Sequence, residues 1–258
     1  MRYIIYTVLL LSAVTFNACT SSLTECKNIS KSEAVILPDV SDPKLFQTIR
    51  QDLSDNFGTF MQKSRLGVIQ SCQRFTLRIA PIGAQESLDM SSQSIEISRK
   101  RQSIKEEQRQ ANPAPLVSML KTKLEEYEKL SNSKDVTSGS TIINTLLKAI
   151  IQADPEAETT VVLLTDGIEN NEYCNMYKKI PVEEEISNVI DKLIDPSILK
   201  KFKSLQQEGS NPKVIVVLKP ATSARVNFRA IKNYWISLLK QLKLSDVEFI
   251  DNIANVNP

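Results

Sequence analysis

The feature that most constrains this chain is a regular alternation of short, unbroken apolar runs with longer segments of helical periodicity. Ala34-Val35-Ile36-Leu37, Thr159-Thr160-Val161-Val162-Leu163-Leu164 and Val214 to Leu218 are strand-length runs with no polar face. Such runs need cover on both sides, which a parallel sheet between two helix layers supplies. Phe75 to Gly83 alternates as a strand, Ser94 to Ser98 is a shorter and more polar one, and Val247 to Ile250 closes the series. Between them, Leu45, Ile49, Leu53, Phe57 and Met61, with Phe46 and Phe60, form one helical face. Asn112-Pro113 can cap and open a helix carried by Leu116, Leu120, Leu124, Tyr127 and Leu130. Further helical faces are Ile142, Ile143, Leu146, Leu147 and Ile150, and then Ile186, Val189, Ile190, Leu193 and Ile194. Pro181 is expected to open the latter helix and Pro196 to break it, with Ile198 to Leu205 resuming. Phe228, Ile231, Trp235, Leu238, Leu239 and Leu242 make the last face.

The expected fold is α/β: a doubly wound, mostly parallel six-stranded sheet with helices on both faces and a short antiparallel edge strand. Ala34–Leu37 and Thr160–Leu164 should lie side by side at the centre. The strand around Ile95–Ile97 should be the edge, because its other face is polar. With 258 residues, 41% hydrophobic and 24% charged, the chain suits one sizeable domain, and no repeat or second core is visible. That domain is expected over residues 34–252, with 253–258 as a tail.

Composition removes several function classes. A net charge of +2 leaves no electrostatic footprint for nucleic acid. The 6 glycines are scattered singly, so no phosphate-binding glycine loop can be built. Histidine is absent, which takes away the commonest general base and excludes Ser-His-Asp and Cys-His catalysis. No catalytic set is visible, and the chain is not expected to be an enzyme.

Arg2 followed by the apolar run Tyr3 to Phe16 reads as a targeting segment. The run is roughly fourteen residues, short of the about twenty needed to span a bilayer. It ends at Phe16-Asn17-Ala18-Cys19, which resembles a bacterial lipobox, with Phe16 where Leu is usual and Asn17 where a small residue is usual. The resemblance implies a signal peptide over 1–18, lipidation of Cys19 and a tether to residue 33. The protein would then sit on the bacterial cell envelope, anchored by lipid to a membrane and facing periplasm or exterior. An ordinary signal peptide is the alternative. Either way an oxidising environment is expected for Cys26, Cys72 and Cys174. Cys26 precedes the first strand and Cys72 the second, so both belong to the amino-end rim of a parallel sheet. Cys174 follows the strand ending at Leu164, on the opposite rim. A bridge needs Cα atoms within about 7 Å, so Cys26–Cys72 is the preferred disulfide.

Open α/β sheets bind ligands beyond the carboxyl ends of the strands, where strand order reverses. Asp39 follows the first strand there and Asp166 the strongest one, and the hydroxyl-rich Thr137-Ser138-Gly139-Ser140-Thr141 enters a helix between them. Oxygen-only donors suit hard cations. At these residues the chain resembles the von Willebrand factor A family, which carries an Asp-x-Ser-x-Ser motif, a distant Thr and an Asp-Gly after the fourth strand. Asp39-Val40-Ser41-Asp42-Pro43, Gly139-Ser140-Thr141 and Leu163-Leu164-Thr165-Asp166-Gly167 align with the three elements. The likeness spans residues 34–252. It implies a metal-ion-dependent adhesion site of Asp39, Ser41, Thr141 and Asp166, holding Mg²⁺ (or Ca²⁺ or Mn²⁺) and bridging to a protein partner's carboxylate. Pro43 replaces the second Ser and offers no side-chain oxygen, so the site is degenerate. A plain alternative is that Asp39 and Ser41 cap the following helix and Asp166-Gly167 is a simple turn.

Two other functions match parts of this pattern. A Mg²⁺-dependent haloacid dehalogenase-like phosphatase also places an Asp after its first strand, but it needs an acid two residues on, where this chain has Ser41. A solute-binding lipoprotein usually has two lobes, and this chain shows one alternating pattern. Trp235 reads as core, Glu183-Glu184-Glu185 as a helix first turn favoured by the dipole, and Arg99-Lys100-Arg101 as a solvated face. The Glu169–Lys179 loop is the next candidate surface for a partner.

Overall fold

A computed structural model describes residues 26–63, 72–83, 90–97, 113–133, 141–171, 173–220 and 227–256. Cys19 and the targeting segment, the basic cluster at 99–101, Asn112 and the loop residues 137–140 lie outside them. In chain order the elements are β1 (Ser30–Pro38), α1 (Pro43–Lys63), β2 (Gln73–Ile79), β3 (Ser91–Ile97), α2 (Ala114–Ser131), α3 (Ile142–Gln152) and β4 (Ala157–Thr165). They continue with α4 (Ile186–Leu193), α5 (Pro196–Gln207), β5 (Lys213–Leu218), α6 (Phe228–Gln241) and β6 (Val247–Ile250).

The six strands form one sheet in the order β3-β2-β1-β4-β5-β6. All neighbours are parallel except β2 and β3, which run antiparallel with Phe75 opposite Ile95. β1 and β4 are adjacent at the centre, with Ala34 beside Thr160 and Leu37 beside Leu163. This is a doubly wound α/β architecture in the Rossmann strand order, with the antiparallel strand at the edge.

Period-two alternation divides the core between the two faces. Val35, Leu37, Val161, Leu163, Val214 and Val216 pack with α3, α4, α5 and α6. Ala34, Ile36, Val162, Leu164, Ile215 and Val217 pack with α1 and α2. Both sets are fully buried, which is why the central strands carry no polar residue within these runs. Trp235 is also fully buried, as its helical spacing indicates.

The structure differs from the sequence reading in three places. Pro181 does not open the helix: a 3-10 turn starts at Glu183, α4 is only eight residues long, and Val189 and Ile190 are partly exposed. Asp195 accepts the N–H groups of Ser197 at 2.7 Å and Ile198 at 3.4 Å, so Pro196 occupies the first turn of a separate helix rather than interrupting one. The chain also packs beyond residue 252. Ile253 and Val256 are buried against α1, because Asp52 draws this segment in. Asp52 pairs with Lys219 at 2.5 Å and accepts Ile253 N–H at 3.3 Å, while Lys219 Nζ also donates to Asp251 O at 2.7 Å. At the opposite rim Cys26 and Cys72 are joined by a disulfide, with Cα atoms 5.4 Å apart. Among the described residues no helix is long and apolar enough to cross a membrane.

Candidate functional site

The strand order reverses between β1 and β4, so their carboxyl ends bound the crevice of a doubly wound sheet. Asp39 and Asp166 are the first residues past those ends. Asp39 is fully buried and Asp166 is 7% exposed. Asp39 N–H donates to Leu164 O at 2.9 Å, prolonging the β1–β4 ladder, and this fixes the backbone that carries its side chain.

The Asp39 carboxylate is held on both oxygens. Oδ1 accepts Ser41 Oγ at 2.6 Å and Ser41 N–H at 3.0 Å. Oδ2 accepts Thr165 Oγ1 at 2.7 Å. Thr165 Oγ1 in turn accepts the Gly167 N–H at 3.0 Å, which ties the Asp166-Gly167 turn to the end of β1. Neither Asp39 nor Ser41 caps α1. Asp42 does so, taking the N–H groups of Lys44 at 2.8 Å and Leu45 at 2.9 Å. The capping alternative therefore falls on the neighbouring aspartate and leaves Asp39 and Ser41 facing each other.

Asp166 Oδ1 accepts Ile168 N–H at 2.9 Å. The turn needs its glycine. Gly167 has φ +74°, and a Cβ there would stand 2.7 Å from Ile231 Cγ2 and 2.9 Å from Trp235 Nε1. Trp235 Nε1–H donates to Gly167 O at 2.8 Å, so the buried indole supports the turn from beneath.

Electrostatics mark this as a strained pair of charges. Burial pushes the Asp39 carboxyl above its usual range, against the hydrogen bonds from Ser41 and Thr165. Burial, and then the charge of Asp39, pushes Asp166 up to about 7. Among the described residues neither carboxylate has a Lys or Arg partner. Two buried carboxylates without a counter-charge, with the Ser41 hydroxyl beside them, are a donor set that fits a hard cation. Pro43 contributes nothing to it. Among the described residues no three carboxylate, thiol or imidazole groups converge as a metal cluster, so such an ion would rest on two carboxylates and hydroxyls.

Thr141 stands at the N-cap of α3 and is exposed. Its hydroxyl does not cap the helix. That role belongs to Glu169, a residue the sequence reading did not single out for chemistry. The fully buried Glu169 carboxylate accepts Ile143 N–H at 2.8 Å and Ile142 N–H at 3.2 Å. Burial pushes its carboxyl up to about 8 despite those bonds, with Asp39 adding to the rise. Thr165 was likewise missed as a partner of Asp39. The only sequence signal for either was nearness to Asp166-Gly167.

A hairpin leaves this region. Asn170 and Asn175 form a β-bridge, Asn171 N–H donates to Cys174 O at 2.9 Å, and Asn171 Oδ1 accepts the N–H groups of Tyr173 and Cys174 at 2.9 Å each. Cys174 and Met176 point into the core, while Tyr173 and Tyr177 are 60% and 54% exposed. The Tyr177 hydroxyl is shifted up by partial burial and by the charges of Asp166, Asp42 and Asp39.

Fold and site together define a doubly wound α/β domain with an acidic, histidine-free crevice at its switch point. No protein-family model matches the sequence, and no curated protein matches it. Among solved structures, the chain is similar to the pilus adhesin SpaC of Lactobacillus rhamnosus GG in its open conformation, at 12% identity and TM-score 0.43. The match covers 89% of this chain and 29% of the adhesin, so the chain spans under a third of that protein's length. The human COPII-coat protein Sec24c is similar at 11% identity and TM-score 0.43, covering 89% and 32%. A von Willebrand factor type A structure from Catenulispora acidiphila is similar at 14% identity and TM-score 0.25, covering 81% and 43%.

Proposed function

We propose that this chain is a non-catalytic protein-binding domain of the von Willebrand A kind, displayed by an exported bacterial lipoprotein. Its working surface is the rim carrying Asp39, Ser41, Thr141 and Asp166. The observation that carries this reading is the apposition of two buried carboxylates, without a Lys or Arg partner among the described residues, at the switch point of the sheet. Mg²⁺, or Ca²⁺ or Mn²⁺ in its place, would rest on Asp39, Ser41 and Asp166, with Thr141 reaching in from α3. A bound ion of this kind supplies an open position for an oxygen of the partner. The chain's own residues orient the donors: Ser41 and Thr165 hold the Asp39 carboxylate, and Gly167 sets the direction of Asp166.

The surface around the crevice supports a protein partner. Of six large apolar side chains exposed among the described residues, Tyr173, Tyr177, Val182 and Phe228 lie on the segments that leave the carboxyl ends of β4 and β5. Aromatic groups gathered on one rim are what an interface core uses. Phosphatase chemistry lacks its second acid, since Ser41 stands in that position and donates its hydroxyl proton to Asp39.

Calorimetric titration of the intact chain with MnCl₂ and MgCl₂ tests the site. Saturable binding that Asp166→Ala abolishes is the expected result. Proteins retained from an envelope extract in Mg²⁺ should be released by EDTA and not retained by the variant. Retention that is indifferent to both EDTA and Asp166→Ala would overturn the reading and move the contact to the Glu169–Lys179 hairpin.

A further inference from the structure

We infer that Glu169 is the positioning residue of this rim: it caps α3 in place of Thr141 and thereby leaves the Thr141 hydroxyl turned to the crevice. The inference rests on the proposed cation site and adds to it the residue that assembles it. A Thr at an N-cap ordinarily folds its hydroxyl back onto the second or third N–H of its helix. Here Thr141 sits at that position and its hydroxyl makes no such bond. The free N–H groups of the first turn are taken instead by a carboxylate from another part of the chain, Glu169 Oε1 to Ile143 N–H and Oε2 to Ile142 N–H. Its two oxygens take two N–H groups of the first turn, where a single hydroxyl would reach one, so Glu169 outcompetes the hydroxyl for this place.

The same residue is anchored to the rest of the rim. It lies three residues beyond Asp166, on the far side of the Gly167 turn. Its backbone N–H donates to Met176 Sδ at 3.3 Å and its carbonyl accepts Met176 N–H at 3.0 Å, which closes the base of the hairpin carrying Tyr173 and Tyr177. Glu169 is fully buried, so its side chain reaches no solvent and cannot itself meet a partner. Its effect passes through the groups it places: the start of α3 on one side, the tyrosine hairpin on the other. The turn from Thr165 to Gly167 fixes Asp166 against Asp39, and Glu169 then sets α3 against that turn.

The experiment uses the intact chain with Glu169→Gln, Thr141→Ala and the double variant, read by Mn²⁺ titration and by amide hydrogen exchange. Gln keeps the volume but can offer only one oxygen, and its NH₂ opposes a second helix N–H. Each single variant should weaken Mn²⁺ about tenfold or more, and the double variant should be no weaker than the worse single, because both losses remove the same Thr141 contact. The Ile142 amide, the first of the helix and out of reach of a returning Thr141 hydroxyl, should exchange at least about tenfold faster in Glu169→Gln, relative to Val162 in β4. Mn²⁺ affinity unchanged in a folded Glu169→Gln, losses that multiply in the double variant, or an Ile142 amide that stays protected would each overturn the inference. If the wild type takes up no Mn²⁺, the cation reading fails by itself, and the Ile142 amide still decides whether Glu169 is the cap.

Discussion

Replacing Asp166 by Asn should stabilise the cation-free protein above neutrality and leave it nearly unchanged in mild acid. Burial and the nearby Asp39 raise the Asp166 carboxyl from an ordinary 3.8 to about 7. A carboxyl whose folded value lies above its unfolded value holds its proton more tightly in the native state. Native stability is then fully present below the unfolded value and is lost as pH climbs from about 4 to about 7. At about 1.4 kcal/mol per pH unit, that interval sets a ceiling of about 4 kcal/mol. The side chain is 7% exposed, so solvent screens little of it. Asn keeps an oxygen for the Ile168 N–H, now at 2.9 Å, and loses only the charge. Urea unfolding in EDTA should show the variant's advantage growing by about 2–4 kcal/mol between about pH 4.5 and pH 8.5. Asp39 and Glu169 are raised as well and slope both curves, so the difference between the proteins is the quantity to read. Curves that stay parallel across that range would refute the claim that Asp166 carries an unrelieved charge.

Gly167→Ala should destabilise the fold by about 2–4 kcal/mol, from a positive φ and from overlap with Ile231 and Trp235. Trp235 is the single tryptophan, so its emission should shift in the folded variant and report the displaced indole directly. Cys72→Ser opens a loop with a sequence separation of 46 and should lower urea stability by about 2–4 kcal/mol under non-reducing conditions, with no change once the wild type is reduced. Asp52→Ala strands the buried Lys219 ammonium and should remove about 3–5 kcal/mol, with residues 251–256 becoming the first segment cut in limited proteolysis. Cys174, 5% exposed and with its thiol pushed up to about 11 by burial, should resist thiol reagents in the native protein and react on unfolding.

The sequence by itself determined the architecture, because burial on two faces is a one-dimensional property. Ala34–Leu37 and Val161–Leu164 are apolar throughout, so their strands had to be central and covered on both faces, while the serines around Ile95 could only be an edge. It also identified Asp39 and Asp166 as strand-end carboxylates, since the end of an apolar run is visible along the chain. Tertiary structure alone decided what those carboxylates meet. Thr165 reaches Asp39 across 126 positions, and Glu169 reaches Ile143 across 26. A lone Glu in a loop carries no periodicity that would reveal such a partner. The α1 cap offered as an alternative role for Asp39 and Ser41 passed to Asp42, and the α3 cap went to Glu169 rather than Thr141, for the same reason. A cap is chosen by which acceptor the packed backbone brings within about 3 Å of a free N–H, and only the folded sheet settles that distance.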